Sequence, residues 1–340
     1  MILLGTKKLL LAGIAMLVGA SASTTFYLEQ DTPHKTTKPI YLVTLAMTTN
    51  PDSTLVMVAD RQGYFRDEGL EVATLHYSSG KAALETMLHG KAQLATVAET
   101  PIILNILRGE NPMVIAGIFS SDRNMGVIAR RDRGIRNPKD LRGKRIGIPL
   151  GTNADYFLHI WLAVEAVPIQ KVTIINLPPE DMAKALASGK VDAVCIWHPF
   201  LAELNAQLGD KGINFSDENI YTYTFNIVAT EKLINSQPQV ILAFLRALEK
   251  AEKFTLEHPE KTRQIVANIS HWNETLLSSV WQDFTFRLSL DPSLMMSMES
   301  QARWAMENNL VSQQEMPNSL DFIYLKGLQT VAPRDVTIRR

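Results

Sequence analysis

The sequence predicts an α/β chain of two doubly wound lobes around a cleft. Three observations lead there. Short apolar strands alternate with helices, first over residues 40–97 and again after residue 125, the pattern of a mainly parallel sheet covered by helices on both faces. One stretch echoes another. Residues 82–101 read as an Ala/Leu helix, a Gly-Lys stop at Gly90-Lys91, a buried strand and a polar-Pro exit, and residues 181–200 repeat that order around Gly189-Lys190. The glycines stand 99 residues apart, too far for a solenoid and suited to one equivalent unit in each of two lobes. Finally, 340 residues exceed what one hydrophobic core usually serves.

The amino terminus has Lys7 and Lys8, an apolar run over residues 9–18, and Ala20-Ser21-Ala22. That is the pattern of a signal peptide cleaved after Ala22. Apolar and small residues continue to Leu28, so an uncleaved anchor over residues 9–28 is the competing reading. Either way the chain is expected to be exported, to the periplasm. Residues 23–38 are polar, with Pro33, and read as a linker.

Strands are expected at 40–46, 70–76 and 94–97, with helices at 52–62 and 81–89. In the second half the expected strands are 125–129, 145–148, 171–176, 191–196 and 221–229, with helices at 154–166 and 181–188. Beyond 229 the pattern is helical to about 309. The resulting division is 39–124 with 225–340 as one lobe and 125–224 as the other.

Net charge is −1, which gives no long-range attraction for nucleic acid or an acidic membrane. Hydrophobic residues at 46% fill an interior and argue against disorder. The single cysteine, Cys195, lies in an apolar run and reads as a buried small hydrophobe. Neither the phosphate-cradling nor the dinucleotide glycine motif occurs, nor a Gly-x-Ser-x-Gly elbow. The seven histidines show no metal-ligand spacing. No cofactor, metal site or catalytic residue is expected, and the chain reads as a non-enzyme.

Ligands of open α/β sheets sit beyond the carboxyl ends of the strands. The segments there are 48–50, 78–80, 99–100, 120–122, 151–153 and 197–199, rich in Ser, Thr, Asn and Gly. Three of them lead into a helix, whose free N–H groups and dipole suit an anion. Serine or threonine there is also the ordinary helix cap. Glu99 could accept a ligand N–H or pair with an ammonium, and is equally a solvated loop carboxylate. Trp197 could cover a ligand, or fill the core. Arg123 could clamp an anion, or lie on the surface.

These segments carry a family resemblance. Gly63-Tyr64-Phe65-Arg66-Asp67-Glu68-Gly69-Leu70-Glu71-Val72 resembles the "GYF..EGL.V" signature of the nitrate/sulfonate/taurine group of ABC-importer solute-binding proteins. Ser79-Gly80 before an Ala/Leu helix matches the next element. Asp140-Leu141-Arg142-Gly143-Lys144-Arg145-Ile146-Gly147-Ile148, followed by Gly151-Thr152, is similar to "DLKGK.VGV". Val191-Asp192-Ala193 with Trp197-x-Pro199-Phe200 is similar to "VDA...WEP". The likeness spans residues 40 to 260.

The resemblance implies a periplasmic-binding-protein fold of type II, with crossovers near Asn124-Met125 and Tyr223-Phe225. It also implies hinge closure around a small solute and docking on a membrane permease by a monomer. Carried over by position, the ligand-binding residues are Thr49, Ser79, Gly80, Glu99, Thr100, Gly151, Thr152, Asn153 and Trp197. The expected solute is a small organic anion such as a sulfonate, taurine or nitrate. His198 stands where the family often has Glu. The same branch includes binders of thiamin-type pyrimidines and other aromatic heterocycles, and a membrane-anchored sensor would share the pocket. Those alternatives stay open on sequence alone.

Overall fold

The structure, a computed structural model, describes residues 40–217 and 220–339. The expected signal segment or anchor and the linker fall outside the described residues.

Strands β1 (Tyr41–Thr48), β2 (Leu70–Tyr77), β3 (Leu94–Ala98) and β4 (Pro112–Ser121) come first. They are followed by β5 (Met125–Arg130), β6 (Arg145–Ile148), β7 (Thr173–Asn176), β8 (Ala193–Trp197) and β9 (Gly212–Phe215), and then by β10 (Tyr223–Thr230). They form two five-stranded sheets, ordered β2-β1-β3-β10-β4 and β7-β6-β8-β5-β9. β1 runs parallel to β2 and β3, and β6 parallel to β7 and β8. β10 is antiparallel to both its neighbours, and so is β5. These two are the strands the chain enters on arriving from the other sheet, through residues 122–124 and 216–222. Each lobe is therefore a parallel βαβ sheet with one strand lent by a crossing.

The burial follows the sequence pattern. β3 (LATVA) and β8 (AVCIW) are buried at all five residues, as continuous apolar runs inside doubly covered sheets require. β2 and β7 lie at sheet edges; β2 is exposed along one face at Glu71, Ala73 and Leu75, and β7 has no buried residue. The internal echo has a structural basis. Helices Gly80–Leu88 and Met182–Ser188 precede β3 and β8, the third strand of each sheet. Gly90 and Gly189, with φ of 76° and 74°, turn the chain after each helix in the left-handed conformation that glycine adopts without steric cost.

Some elements differ from the sequence expectation. β4 and β9 were not anticipated, nor were the helices Glu99–Ile106 and Phe200–Leu208. Residues 99–100 open a buried helix rather than a loop. Cys195 is buried, as expected, and burial pushes its thiol well above its ordinary value.

Beyond β10 come mainly helices, of which Pro238–Glu257 packs on Thr54–Arg61. Helix Pro292–Glu307 packs on Glu99–Ile106 of the first lobe. Its Trp304 meets Tyr156 and His159 on helix Asn153–Val164 of the second, each at a ring-centroid distance of 5.3 Å. No helix among the described residues is long and apolar enough to cross a membrane.

Candidate functional site

The carboxyl ends of both sheets meet at a buried cavity. From the first lobe it receives Asn50 and Asp52 after β1, Ser79, Gly80 and Lys81 after β2, and Ala98 and Pro101 around the start of helix Glu99–Ile106. The second lobe supplies Thr152 and Asn153 after β6, and Trp197 at the end of β8. Tyr223 and Phe225 enter from β10, just past the crossing.

Two helices with side-chain-capped starts, one from each lobe, begin at this cavity, beside the uncapped start of helix Glu99–Ile106. Ser79 caps Gly80–Leu88, accepting a hydrogen bond from the Ala82 N–H at 3.4 Å. Thr152 caps Asn153–Val164, accepting from the Ala154 N–H at 3.2 Å and donating to the Pro149 carbonyl at 2.7 Å. Both residues are thus caps and cavity lining at once. The first N–H groups of an α-helix have no partner within the helix, and the dipole makes that end positive. Lys81 adds a cation and donates from Nζ to the Leu150 carbonyl across the interlobe gap at 2.9 Å. Trp197 is 4% exposed. Its Nε1–H has no hydrogen-bond partner among the described residues, a costly state that an acceptor in the cavity would relieve.

Asp52 gives the cavity a second character. It accepts from Thr48 Oγ1 at 2.7 Å and from the Tyr223 hydroxyl at 3.0 Å. Burial raises its pKa from 3.8 to about 6 against the pull of those hydrogen bonds. The folded chain therefore holds a proton that the unfolded chain releases at lower pH. This stabilising share is complete below pH 3.8 and is lost as pH rises through about 6. The shift corresponds to about 3 kcal/mol in all. Asp52→Asn cannot titrate, so its stability relative to the wild type is expected to rise by about 1 kcal/mol between about pH 5 and about pH 8. Urea unfolding of both proteins at the two pH values measures this, and a constant difference would contradict it.

Of the positions singled out from sequence, Ser79, Gly80, Thr152, Asn153 and Trp197 come together here. Thr49, Glu99, Thr100 and Gly151 do not line the cavity. Gly151 stands at its margin, where an added Cβ would lie 3.4 Å from Lys81 Nζ. Thr100 is buried within its helix. Glu99 is enclosed by protein donors. It accepts from the Tyr221 hydroxyl at 2.5 Å, from Thr224 N and Oγ1 at 3.3 and 3.1 Å, and from Ser297 Oγ and Gln301 Nε2, both at 3.2 Å. Burial raises its pKa and these donors pull it back. His198 and Arg123 line a separate surface depression with Asp283, which pairs with Arg123 at 3.4 Å. Asn50 belongs to the strand-end segment 48–50 singled out from sequence, whereas Asp52, Lys81, Tyr223 and Phe225 were not singled out as cavity residues. The signal was partly there, since Asp52 and Lys81 adjoin segments already placed at strand ends.

Two α/β lobes joined by two crossings, with a cavity at their facing strand ends, define the two-lobed fold of periplasmic binding proteins. The alkanesulfonate-binding protein SsuA of Xanthomonas axonopodis pv. citri, solved with MOPS, shares it with a TM-score of 0.72 at 15% identity, over 85% of this chain and 99% of that one. Residues 50–262 match the model of the family described as NMT1/THI5 like, and the chain belongs to that family. A putative aliphatic sulfonates-binding protein of Bacillus subtilis (strain 168) is 26% identical over 66% of this chain and 69% of its own. The taurine-binding periplasmic protein of Escherichia coli (strain K12) is 23% identical over 67% of this chain and 71% of its own.

Proposed function

We propose that this chain is the extracytoplasmic solute-binding subunit of an ABC importer, and that it captures a small organic anion of the sulfonate class between its lobes. One observation carries the anion: two capped helix starts, one per lobe, and Trp197, whose indole N–H is unpartnered among the described residues, line the same buried cavity. Fixed donors of this kind replace the water around an oxyanion without reorganising.

The chain acts by binding, not by catalysis. The cavity holds about 10 Å3, the room of about one water molecule. Solute entry therefore requires the lobes to part, and closure over the solute creates the surface a permease reads. The protein is exported, with the apolar segment over residues 9–18 as its address, and works as a monomer.

Calorimetric titration with taurine, alkanesulfonates and nitrate tests the reading. Saturable binding of a sulfonate is expected, and no heat from any of the three would overturn it. Trp197→Phe keeps the ring and removes the N–H. Affinity is expected to fall about tenfold, while the thermal midpoint stays level or rises because an unpaired buried donor has gone. A lowered midpoint with unchanged affinity would show that the indole serves only packing.

A further inference from the structure

Lys81 stands where helix electrostatics disfavour a cation. It is the second residue of helix Gly80–Leu88, at the positive end of the dipole. Among the described residues it forms no ion pair. Its ammonium instead donates to the Leu150 carbonyl of the opposite lobe at 2.9 Å. That carbonyl is held in place by its own lobe. The Leu150 N–H donates to Asn176 Oδ1 at 3.2 Å, the Gly151 N–H to Asp155 Oδ2 at 2.8 Å, and Thr152 Oγ1 to the Pro149 carbonyl at 2.7 Å. Gly151, with φ of 72°, takes a left-handed turn that glycine adopts freely. A Cβ there would lie 3.4 Å from the ammonium and 3.7 Å from Leu104 Cδ1 of the first lobe. A fixed acceptor on one lobe thus meets a long, flexible donor on the other, beside the cavity that Lys81 lines.

We propose that Lys81 is the latch of the shut form: its bond to Leu150 exists only while the lobes meet, favours closure of the empty chain, and sets how long a captured solute stays. The proposal rests on the solute-capture reading above and deepens it. Parting the lobes breaks the bond and returns both groups to water, so its strength appears as a bias toward closure. The bond is solvated, which keeps its effect below that of a buried charge-assisted hydrogen bond. Its acceptor is main chain, so the latch acts alike on every solute the cavity admits. It governs residence rather than selectivity.

Lys81→Met and Lys81→Arg are compared with the wild type, as full chains, in two measurements. The first needs no solute: small-angle X-ray scattering of the empty proteins. Lys81→Met is expected to shift the open-to-shut ratio about fivefold toward the open form, which raises the radius of gyration. Lys81→Arg keeps a charged donor and is expected to stay near the wild type. The second measurement is stopped-flow with taurine at about 0.5 M salt, which screens the pull of the lysine charge on the anion. Lys81→Met is expected to release taurine about fivefold faster, with an association rate within about twofold of the wild type. An unchanged scattering profile in Lys81→Met, or slower association with unchanged release, would overturn the latch and leave the lysine as a positive charge alone. Failure of taurine to bind any of the three proteins would count against sulfonate capture, and the scattering of the empty chains would still decide the latch.

Discussion

Replacing Gly80 by alanine is expected to weaken solute binding by about a hundredfold and to destabilise the fold by about 1–3 kcal/mol. Gly80 is the first residue of helix Gly80–Leu88 and part of the cavity wall. A Cβ at this position would stand 2.8 Å from the Val97 Cα and 3.0 Å from the Phe225 ring. Val97 belongs to the central strand β3 and its backbone cannot yield, so the helix start must move. That start is also what offers N–H groups to the cavity, and a shift of about 1 Å in positioned groups costs on the order of a hundredfold. Calorimetry with a sulfonate, alongside a thermal melt, measures both effects. Affinity within about threefold of the wild type would show that this helix start does not touch the solute.

The second large effect is expected at a residue outside the cavity. Glu99→Leu removes the acceptor for four side chains and one backbone N–H in a site that is 0% exposed. Leucine fills the volume but leaves those donors unpaired. A loss of about 3–5 kcal/mol is expected, seen as a fall of roughly 6–15 °C in thermal midpoint. Glu99→Gln should cost less, since it keeps one carbonyl oxygen, yet it turns an amide donor toward groups that are themselves donors. A leucine variant as stable as the wild type would mean that the network is dispensable. Loss of solute affinity in the stable fraction of either variant would point to a role in the mobility of the lobes.

The contrast between these two positions shows what a sequence can disclose. Gly80 was legible because its cue is local: Ser-Ser-Gly after an apolar strand and before an Ala/Leu run marks a capped helix start. The same holds for Thr152 and Asn153, and for strands such as β3 and β8, whose apolar runs need no distant partner to be recognised. Glu99 was legible as the residue after a buried strand, but not in its role. Its partners lie 122, 125, 198 and 202 residues away, and one sequence carries no trace of such pairings. β4 was missed for a related reason. Its run PMVIAGIFSS has no alternation and contains Gly117, which looks like a breaker. In the fold that glycine admits a close neighbour: its N–H donates to the Ser289 carbonyl at 2.8 Å, and a Cβ would lie 3.0 Å from Ser289 Oγ. Asp52 is the subtler case. Asn-Pro-Asp at a strand end reads as a helix start, and only the hydroxyl of Tyr223, 171 residues on, reveals it as cavity lining.

Helix Pro292–Glu307 holds the first lobe through Ser297 and Gln301 on Glu99, and touches the second through Trp304. Aromatic pairs of this kind contribute about 0.5–1.5 kcal/mol each. Where parting of the lobes separates both, two such pairs would favour the shut arrangement by roughly five- to more than a hundredfold, and neither lines the cavity. Apparent affinity is the intrinsic affinity scaled by the fraction of molecules already competent. For the solute-binding role proposed above, part of the grip is thus stored beforehand, in a helix that lies outside the cavity. In the importer role proposed above, the same bias would set a ceiling on fidelity, because a carrier resting shut would give a permease less contrast between loaded and idle.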